Sequence, residues 1–201
     1  MRKGISVLFF LLAIVSCKGP GSLSPAAYIS YLENAENEYC KKTVIGSNEY
    51  TIQLAPAEYM VCKEIEPSDS SGRVIANRLK ELEGHVFFMI KIGSTEKSRM
   101  QQGGKRISDE QVNVNDKVAY YDQYAAKDIN LIAGGKLLSP STYLFENNYD
   151  LSPYNTIVVG FETGPVPADL KITFNDRYTG IPAIRASFSK EQIIGLPKLS
   201  F

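Results

Sequence analysis

The sequence predicts a mainly β protein with a minor α component: an immunoglobulin-like or related antiparallel β-sandwich with an N-terminal helix and one further helix. Its C-terminal half consists of short apolar or alternating stretches, separated by glycine, proline, asparagine and aspartate residues. Its N-terminal half contains two stretches in which apolar residues recur at helical spacing. We therefore expect two helices that are packed on the sandwich or appended to it.

The first helix is predicted over residues 25–41, because Ser24 and Pro25 form a favourable helix start. Apolar side chains then recur on one face, at Tyr28, Leu32, Ala35 and Tyr39. The second helix is predicted over residues 72–83. Its apolar residues have the same spacing, and Gly84 follows where a helix-ending glycine belongs.

The strands are predicted from alternating or continuous apolar runs bounded by turn residues. In chain order they cover residues 50–54, 59–65, 86–92, 118–124, 129–132, 136–138, 142–145, 156–162, 170–174 and 183–188. Gly134 and Gly135 supply the positive φ angles of a tight hairpin. Near the C-terminus, Ser189 and Gln192 have the spacing of a capping box, which predicts a short helix.

Residues 25–201 are interpreted as one globular domain in three parts. These are a helical and β N-terminal portion (25–92), a long polar loop (93–117) and the β-sandwich portion (118–201). A loop of that length is uncommon in a compact domain, which favours a functional or mobile segment.

The N-terminus has the features of an export signal. Arg2 and Lys3 precede an uncharged run whose apolar part, Ile5 to Val15, is 11 residues long. A helix that spans a bilayer needs about 20 residues, so this run is too short for a permanent membrane anchor. We therefore predict a signal peptide over residues 1–16.

Ile14-Val15-Ser16-Cys17 resembles the lipobox of bacterial lipoproteins, in which a small residue precedes the cysteine that receives the lipid. The resemblance implies that Cys17 becomes the lipid-bearing N-terminus, with acyl chains such as palmitate, and that residues 17–24 form a flexible tether. It also implies a location in the cell envelope, at the outer membrane, on a face that the sequence leaves open. The architecture is similar to that of small envelope lipoproteins of Bacteroidota-like bacteria, but the resemblance identifies no specific family.

Charge and cysteine content narrow the range of functions. Without residues 1–16 the chain has 20 basic and 22 acidic side chains, and this balance lacks the basic excess that a nucleic-acid partner requires. Two cysteines remain after the lipidated one, Cys40 and Cys62. In an oxidising compartment they could form a disulfide, and the alternative is two buried free thiols.

No catalytic pattern is evident in the sequence, so we expect a protein that is not an enzyme and has no cofactor. His85 is its only histidine, which leaves few ways to build a catalytic triad or a zinc site. We predict no metal site and no catalytic residues. A hydrolase that depends on carboxylates is the least favoured alternative.

Tyrosines of the C-terminal half are the candidates for contact with a ligand or a protein partner. They are Tyr120, Tyr124, Tyr143, Tyr149 and Tyr154. Exposed tyrosines suit protein hot spots and sugar stacking, although packing in the core is an alternative role. We expect the domain to mediate protein–protein interaction at the membrane, in an envelope assembly or secretion complex. The alternative is binding of a glycan or small ligand through the tyrosine-rich loops.

Overall fold

Two antiparallel β-sheets form the body of the protein in the computed structural model, which describes residues 21–64, 72–94, 114–148, 152–164 and 167–200. The fold is mainly β and sandwich-like, with few helices, which confirms the predicted class. The predicted signal peptide, Cys17 and the start of the tether lie outside the described residues, as do most of the predicted loop 93–117 and Tyr149.

The strands of the described chain are numbered in order: β1 (Ser22–Leu23), β2 (Cys40–Ile45), β3 (Asn48–Ala55), β4 (His85–Ser94), β5 (Ile129–Ala133), β6 (Lys136–Leu138), β7 (Thr142–Glu146), β8 (Tyr154–Glu162), β9 (Leu170–Asp176), β10 (Ile181–Phe188) and β11 (Lys198–Leu199). The helices are α1 (Pro25–Glu33), α2 (Ala57–Glu64), α3 (Gly72–Glu81), α4 (Val114–Ala119) and α5 (Lys190–Ile194). Within these ranges, one sheet has the order β2-β3-β4-β8-β7 and the other the order β10-β9-β5-β6. The short strands β1 and β11 pair in parallel.

The core lies between the two sheets and follows the predicted alternation. Leu170, Ile172 and Phe174 of β9 are buried, and so are the alternate residues of β10. They join one hydrophobic cluster with the inner face of the five-stranded sheet, including Ile52 and Phe88. The hairpin glycines have φ angles of 53° and 84°, and both hydrogen bonds of the capping box are present, as predicted.

Helices α1 and α2 cover part of the opposite face of the five-stranded sheet. Gln53 of β3 points to that face and is fully buried. The two helices are joined by a hydrogen bond of 2.7 Å from the Tyr59 hydroxyl to Glu33 Oε1. This part of the molecule is therefore three layers deep. No helix in the described ranges is both long and apolar enough to cross a bilayer.

The first helix is shorter than the predicted range of 25–41. It ends at Glu33, and Asn34 then adopts an extended conformation in which its side chain accepts a hydrogen bond from the Glu36 amide. A 3₁₀ turn follows, and Glu38 has a φ angle of 63°. This turn redirects the chain, so Tyr39 packs into the core ahead of β2.

The predicted strand 59–65 is wrong, because residues 57–64 form α2. Its apolar run satisfies either periodicity, and runs of this length are ambiguous. Pro56 stands immediately before the helix and its carbonyl accepts a hydrogen bond from the Met60 amide, so this proline precedes a helix instead of separating two strands.

The predicted strand 118–124 is also wrong. Helix α4 continues into a π-helical turn (Tyr120–Tyr124) and a 3₁₀ turn (Ala125–Asp128). Tyr121 and Ala125 are buried four residues apart, which is helical spacing. Contacts with distant residues override the β propensity of this aromatic segment.

Candidate functional site

The sandwich has two ends that differ in chemistry. Strand β9 runs from Leu170, beside an apolar groove, to Asp176, within a cluster of tyrosines. These two residues are six positions apart on one strand, a distance of about 20 Å. Strand β3 runs in the opposite sense, with Tyr50 in the cluster and Leu54 at the groove. We call these the tyrosine end and the groove end.

Asp176 is the centre of the tyrosine end. It is fully buried, and its Oδ2 accepts hydrogen bonds from the hydroxyls of Tyr50 (2.7 Å) and Tyr121 (2.8 Å). The backbone amides of Tyr178 and Thr179 donate to its Oδ1 at 3.2 and 3.3 Å. These donors offset the cost of burying a carboxylate, and the carboxylate ties both sheets to the segment after α4.

A second carboxylate, Asp128, lies beside the first cluster. The Tyr120 hydroxyl donates to its Oδ2 at 2.9 Å, and Arg177 Nε forms an ion pair with the same oxygen at 2.7 Å. The Tyr120 hydroxyl also accepts a hydrogen bond from the Arg177 amide at 3.1 Å. The turn after β9 is therefore held to the turn before β5 by side chains.

Burial raises the pKa of Tyr50, Tyr120 and Tyr121 above the usual range, and the hydrogen-bonded carboxylates raise it further. The three phenols therefore keep their protons, and remain hydrogen-bond donors, at any physiological pH. The tyrosine end is thus a structural network with a fixed direction of donation.

The predicted contact tyrosines have different environments. Tyr120 stacks on Tyr178, and Tyr143 donates to the carbonyl oxygen of Tyr121, so both belong to the packed network. Tyr154 lies across the other face of the five-stranded sheet, where its hydroxyl is 3.4 Å from Glu49 Oε1. Tyr124 is 51% exposed.

Two exposed side chains mark the surface of the tyrosine end. Tyr124 lies one turn beyond Tyr120, and the side chain of Arg177 is 64% exposed although its Nε is held by Asp128. Sequence reasoning identified Tyr124 but missed Arg177, Asp128 and Asp176. No local pattern indicates these three residues, because Asp176 is bound by Tyr50, 126 positions away, and Arg177 pairs with Asp128, 49 positions away.

The groove end carries an open concavity of about 820 Å³ between α3, the start of β4, α5 and β11. Aliphatic residues dominate its lining, among them Leu82, Val86, Ile193 and Leu199. Ile194 also lines it and is 62% exposed. The sequence analysis predicted the short helix that carries these isoleucines but gave no indication of a groove.

Cys40 and Cys62 are free thiols in the structure, so the disulfide alternative is not formed. The Cys40 thiol lies 3.3 Å from the carbonyl oxygen of Leu32. Burial raises the pKa of the Cys62 thiol to about 11, and the carboxylate of Glu58 contributes to this rise.

His85 is half-buried at the start of β4. Its ring stacks on Phe87, and its Nδ1 is 3.2 Å from the carbonyl oxygen of Glu83. Within the part of the chain that the structure describes, no three histidine, cysteine, aspartate or glutamate side chains are grouped to hold a metal ion.

Comparisons with known proteins identify no family. No family model matches the chain, and no curated protein matches it. Among solved structures, it is similar to a DUF4426 family protein from Pseudomonas aeruginosa, with 12% identity and a TM-score of 0.35 over 75% of this chain and 92% of that one. A similarity at this level supports no argument about function.

Proposed function

We propose that this protein is a lipid-anchored envelope lipoprotein whose β-sandwich domain binds a protein partner through its tyrosine end, within an envelope assembly or secretion complex. The observation that carries the proposal is that the groove end lies beside strand β1, near the N-terminus of the described chain, whereas the tyrosine end does not. Strand β1 lies within the predicted tether 17–24, whose end is therefore ordered, and it pairs with β11 beside the groove. The tyrosine end lies at the other end of β9, so a lipid anchor on Cys17 would leave it facing away from the membrane.

The chemistry of the tyrosine end suits protein recognition. Tyrosine and arginine are enriched at the energetically important positions of interfaces, and both are exposed here at Tyr124 and Arg177. Tyr120 and Asp128 hold the backbone and the Nε of Arg177. Binding therefore costs little additional ordering of this surface.

A photo-crosslinking amino acid at position 124 tests the partner surface. The full chain with this residue, irradiated in cells that make it naturally, is expected to give a discrete adduct that Arg177→Glu suppresses. Lys171, exposed on the outer face of the four-stranded sheet, is the matched control position. The same adduct at both positions, or none at position 124, would contradict the proposed surface.

The anchor has its own test. Wild-type protein is expected in the membrane fraction and to incorporate an alkyne-labelled palmitate, whereas Cys17→Ser is expected in the soluble fraction without label. A Cys17→Ser protein that still takes up the label would refute lipidation at this residue. One chain gives marginal membrane binding and two or more give a stable anchor, so the shift between fractions should be nearly complete.

Glycan binding is the second candidate function. The observation that favours it is a pocket of about 360 Å³ where Tyr143 is joined by three hydroxyl side chains, Ser139, Ser141 and Thr142. An aromatic ring beside hydroxyl groups suits a sugar. A panel of envelope oligosaccharides should then shift the NMR signals of residues 139–143, and shifts confined to other residues would exclude this pocket.

A further inference from the structure

The concavity at the groove end is lined mainly by aliphatic side chains, which suits an apolar ligand. Its volume of about 820 Å³ lies in the range of small-molecule sites, which is about 300–1,000 Å³. Leu82, Val86, Ile193 and Leu199 are partly buried against the core at its floor. Ile194, at its edge, leaves most of its surface in water, so an apolar ligand in the groove would remove this surface from water.

Charged groups lie at the rim of the groove. Lys80, Glu83 and Lys198 line it and are exposed. Their charged ends can stay in water while their stems extend the apolar wall. This arrangement suits an amphiphile, whose chain would lie on the aliphatic floor while its polar end stays at the rim.

The N-terminal strand places the groove beside the proposed anchor. The Lys198 amide donates to the Gly21 carbonyl at 3.3 Å, and the Ser200 amide donates to the Leu23 carbonyl at 2.8 Å. Cys17 is four residues before Gly21. Four extended residues span at most about 14 Å, so a lipid on Cys17 is tethered within that distance of the strand pair that borders the groove.

We propose that the groove binds one fatty acyl chain of the lipid on Cys17. The location beside Cys17 rests on the proposed lipoprotein function, whereas the binding itself depends on the groove alone. Burial of successive methylene groups against the aliphatic floor drives the binding. A short tether also gives the attached lipid a high effective concentration at the groove.

Fluorescence titration with cis-parinaric acid, an 18-carbon fatty acid, tests the proposal. The full chain with Cys17→Ser, which has no lipid of its own, is titrated in buffer without detergent. We expect saturable binding of one molecule per chain. Ile194→Glu should weaken it at least tenfold, because it replaces apolar surface at the edge of the groove with a carboxylate that the acyl chain would have to desolvate. Since Ile194 is exposed, this substitution should leave the fold intact, and circular dichroism checks that it does.

Leu137→Glu is the matched control, because Leu137 is an aliphatic residue that is 71% exposed and lies on the β5–β6 hairpin. It should leave the affinity unchanged. Absence of saturable binding, or equal weakening by both substitutions, would overturn the proposal. Sedimentation that shows a dimer dissociated by Ile194→Glu would overturn it as well, since the groove would then be covered by a second copy.

The lipidated wild-type chain tests whether the lipid on Cys17 is the occupant. If its own lipid fills the groove, parinaric acid will bind the wild type far more weakly than it binds Cys17→Ser. Equal binding would overturn the proposal, because the groove of the lipidated chain would then be empty. If mass spectrometry finds no lipid on the wild type, the anchor proposal fails and this occupant fails with it, whereas a lipidated wild type that binds parinaric acid as well as Cys17→Ser refutes the occupant alone.

Discussion

Replacing Tyr121 with phenylalanine removes one buried oxygen atom and leaves the packing of the ring in place. The lost hydroxyl donates to Asp176 Oδ2 at 2.8 Å, and both residues are fully buried. A hydrogen bond to a charged group contributes about 1.5–3 kcal/mol to stability. We therefore expect Tyr121→Phe to lower the free energy of unfolding by about 2 kcal/mol and Tm by about 4–8 °C.

Tyr50→Phe tests whether the two phenols act on one carboxylate. Tyr50 donates to the same Oδ2 and lies 3.1 Å from Thr179 Oγ1, so its single substitution should have a similar cost. With both hydroxyls absent, Asp176 keeps its two backbone donors and no side-chain donor among those described. The double variant should therefore depart from additivity by at least about 0.5 kcal/mol.

Urea unfolding of the Cys17→Ser chain, followed by circular dichroism, measures these differences without a lipid. Tyr124→Phe is the control, because that side chain is half-exposed, and it should change stability by no more than about 0.5 kcal/mol. A change below about 0.5 kcal/mol for Tyr121→Phe, or strict additivity in the double variant, would refute the network as described.

Three further predictions concern the rest of the fold. At pH 8 the native Cys62 thiol should react with iodoacetamide about twentyfold more slowly than an unperturbed cysteine, and a faster reaction would contradict this environment. A pKa of about 11 lowers the thiolate fraction more than about a hundredfold, and the greater nucleophilicity of that thiolate offsets about a tenfold part of the loss. Gly160→Ala should cost about 1–3 kcal/mol in urea unfolding, since the new Cβ would lie 2.6 Å from the Phe87 ring, and an unchanged midpoint would refute that contact. Burial favours the neutral form of Glu33, but hydrogen bonds from Tyr59 and a neighbouring lysine outweigh it and lower its pKa. The ionised Glu33 carboxylate therefore stabilises the fold above pH about 4.3, the usual pKa of glutamate. This stabilisation is lost as the pH falls through the lower pKa that Glu33 has in the folded protein. Wild type should lose more stability than Glu33→Gln in that acid range, by less than about 1 kcal/mol because the pair is partly exposed, and parallel pH profiles would contradict this.

The alternation of apolar and polar residues predicted strands correctly where one face of the strand is buried. The strands β9 and β10 have this pattern, and both have the predicted faces in the core. When only one face of a strand is buried, every second residue must be apolar, so the strand can be recognised from the sequence alone. The hairpin at Gly134 could likewise be predicted from the residues of the turn itself, because glycine readily adopts the φ angle of 53° found there.

The two segments that were wrongly predicted as strands are helical because of contacts with residues elsewhere in the chain. Tyr59 and Val61 lie in a helix because α2 covers the face of the sheet that holds Gln53, and no residue near them indicates this. Tyr120 and Tyr121 have side chains typical of strands, yet their hydroxyls reach Asp128 and Asp176. The tyrosines were therefore recognisable as a set, while their acidic partners were not.

The length of β9 separates the two ends, so the two proposed sites can be tested independently. It holds the groove and the tyrosine end about 20 Å apart on one rigid strand, whereas four tether residues reach at most about 14 Å. An acyl chain in the groove would therefore lie at the opposite end of β9 from Arg177. Substitutions at sites this far apart, with no shared contacts, should have additive effects. Ile194→Glu should thus leave the adduct at position 124 intact, and Arg177→Glu should leave the affinity for the fatty acid unchanged.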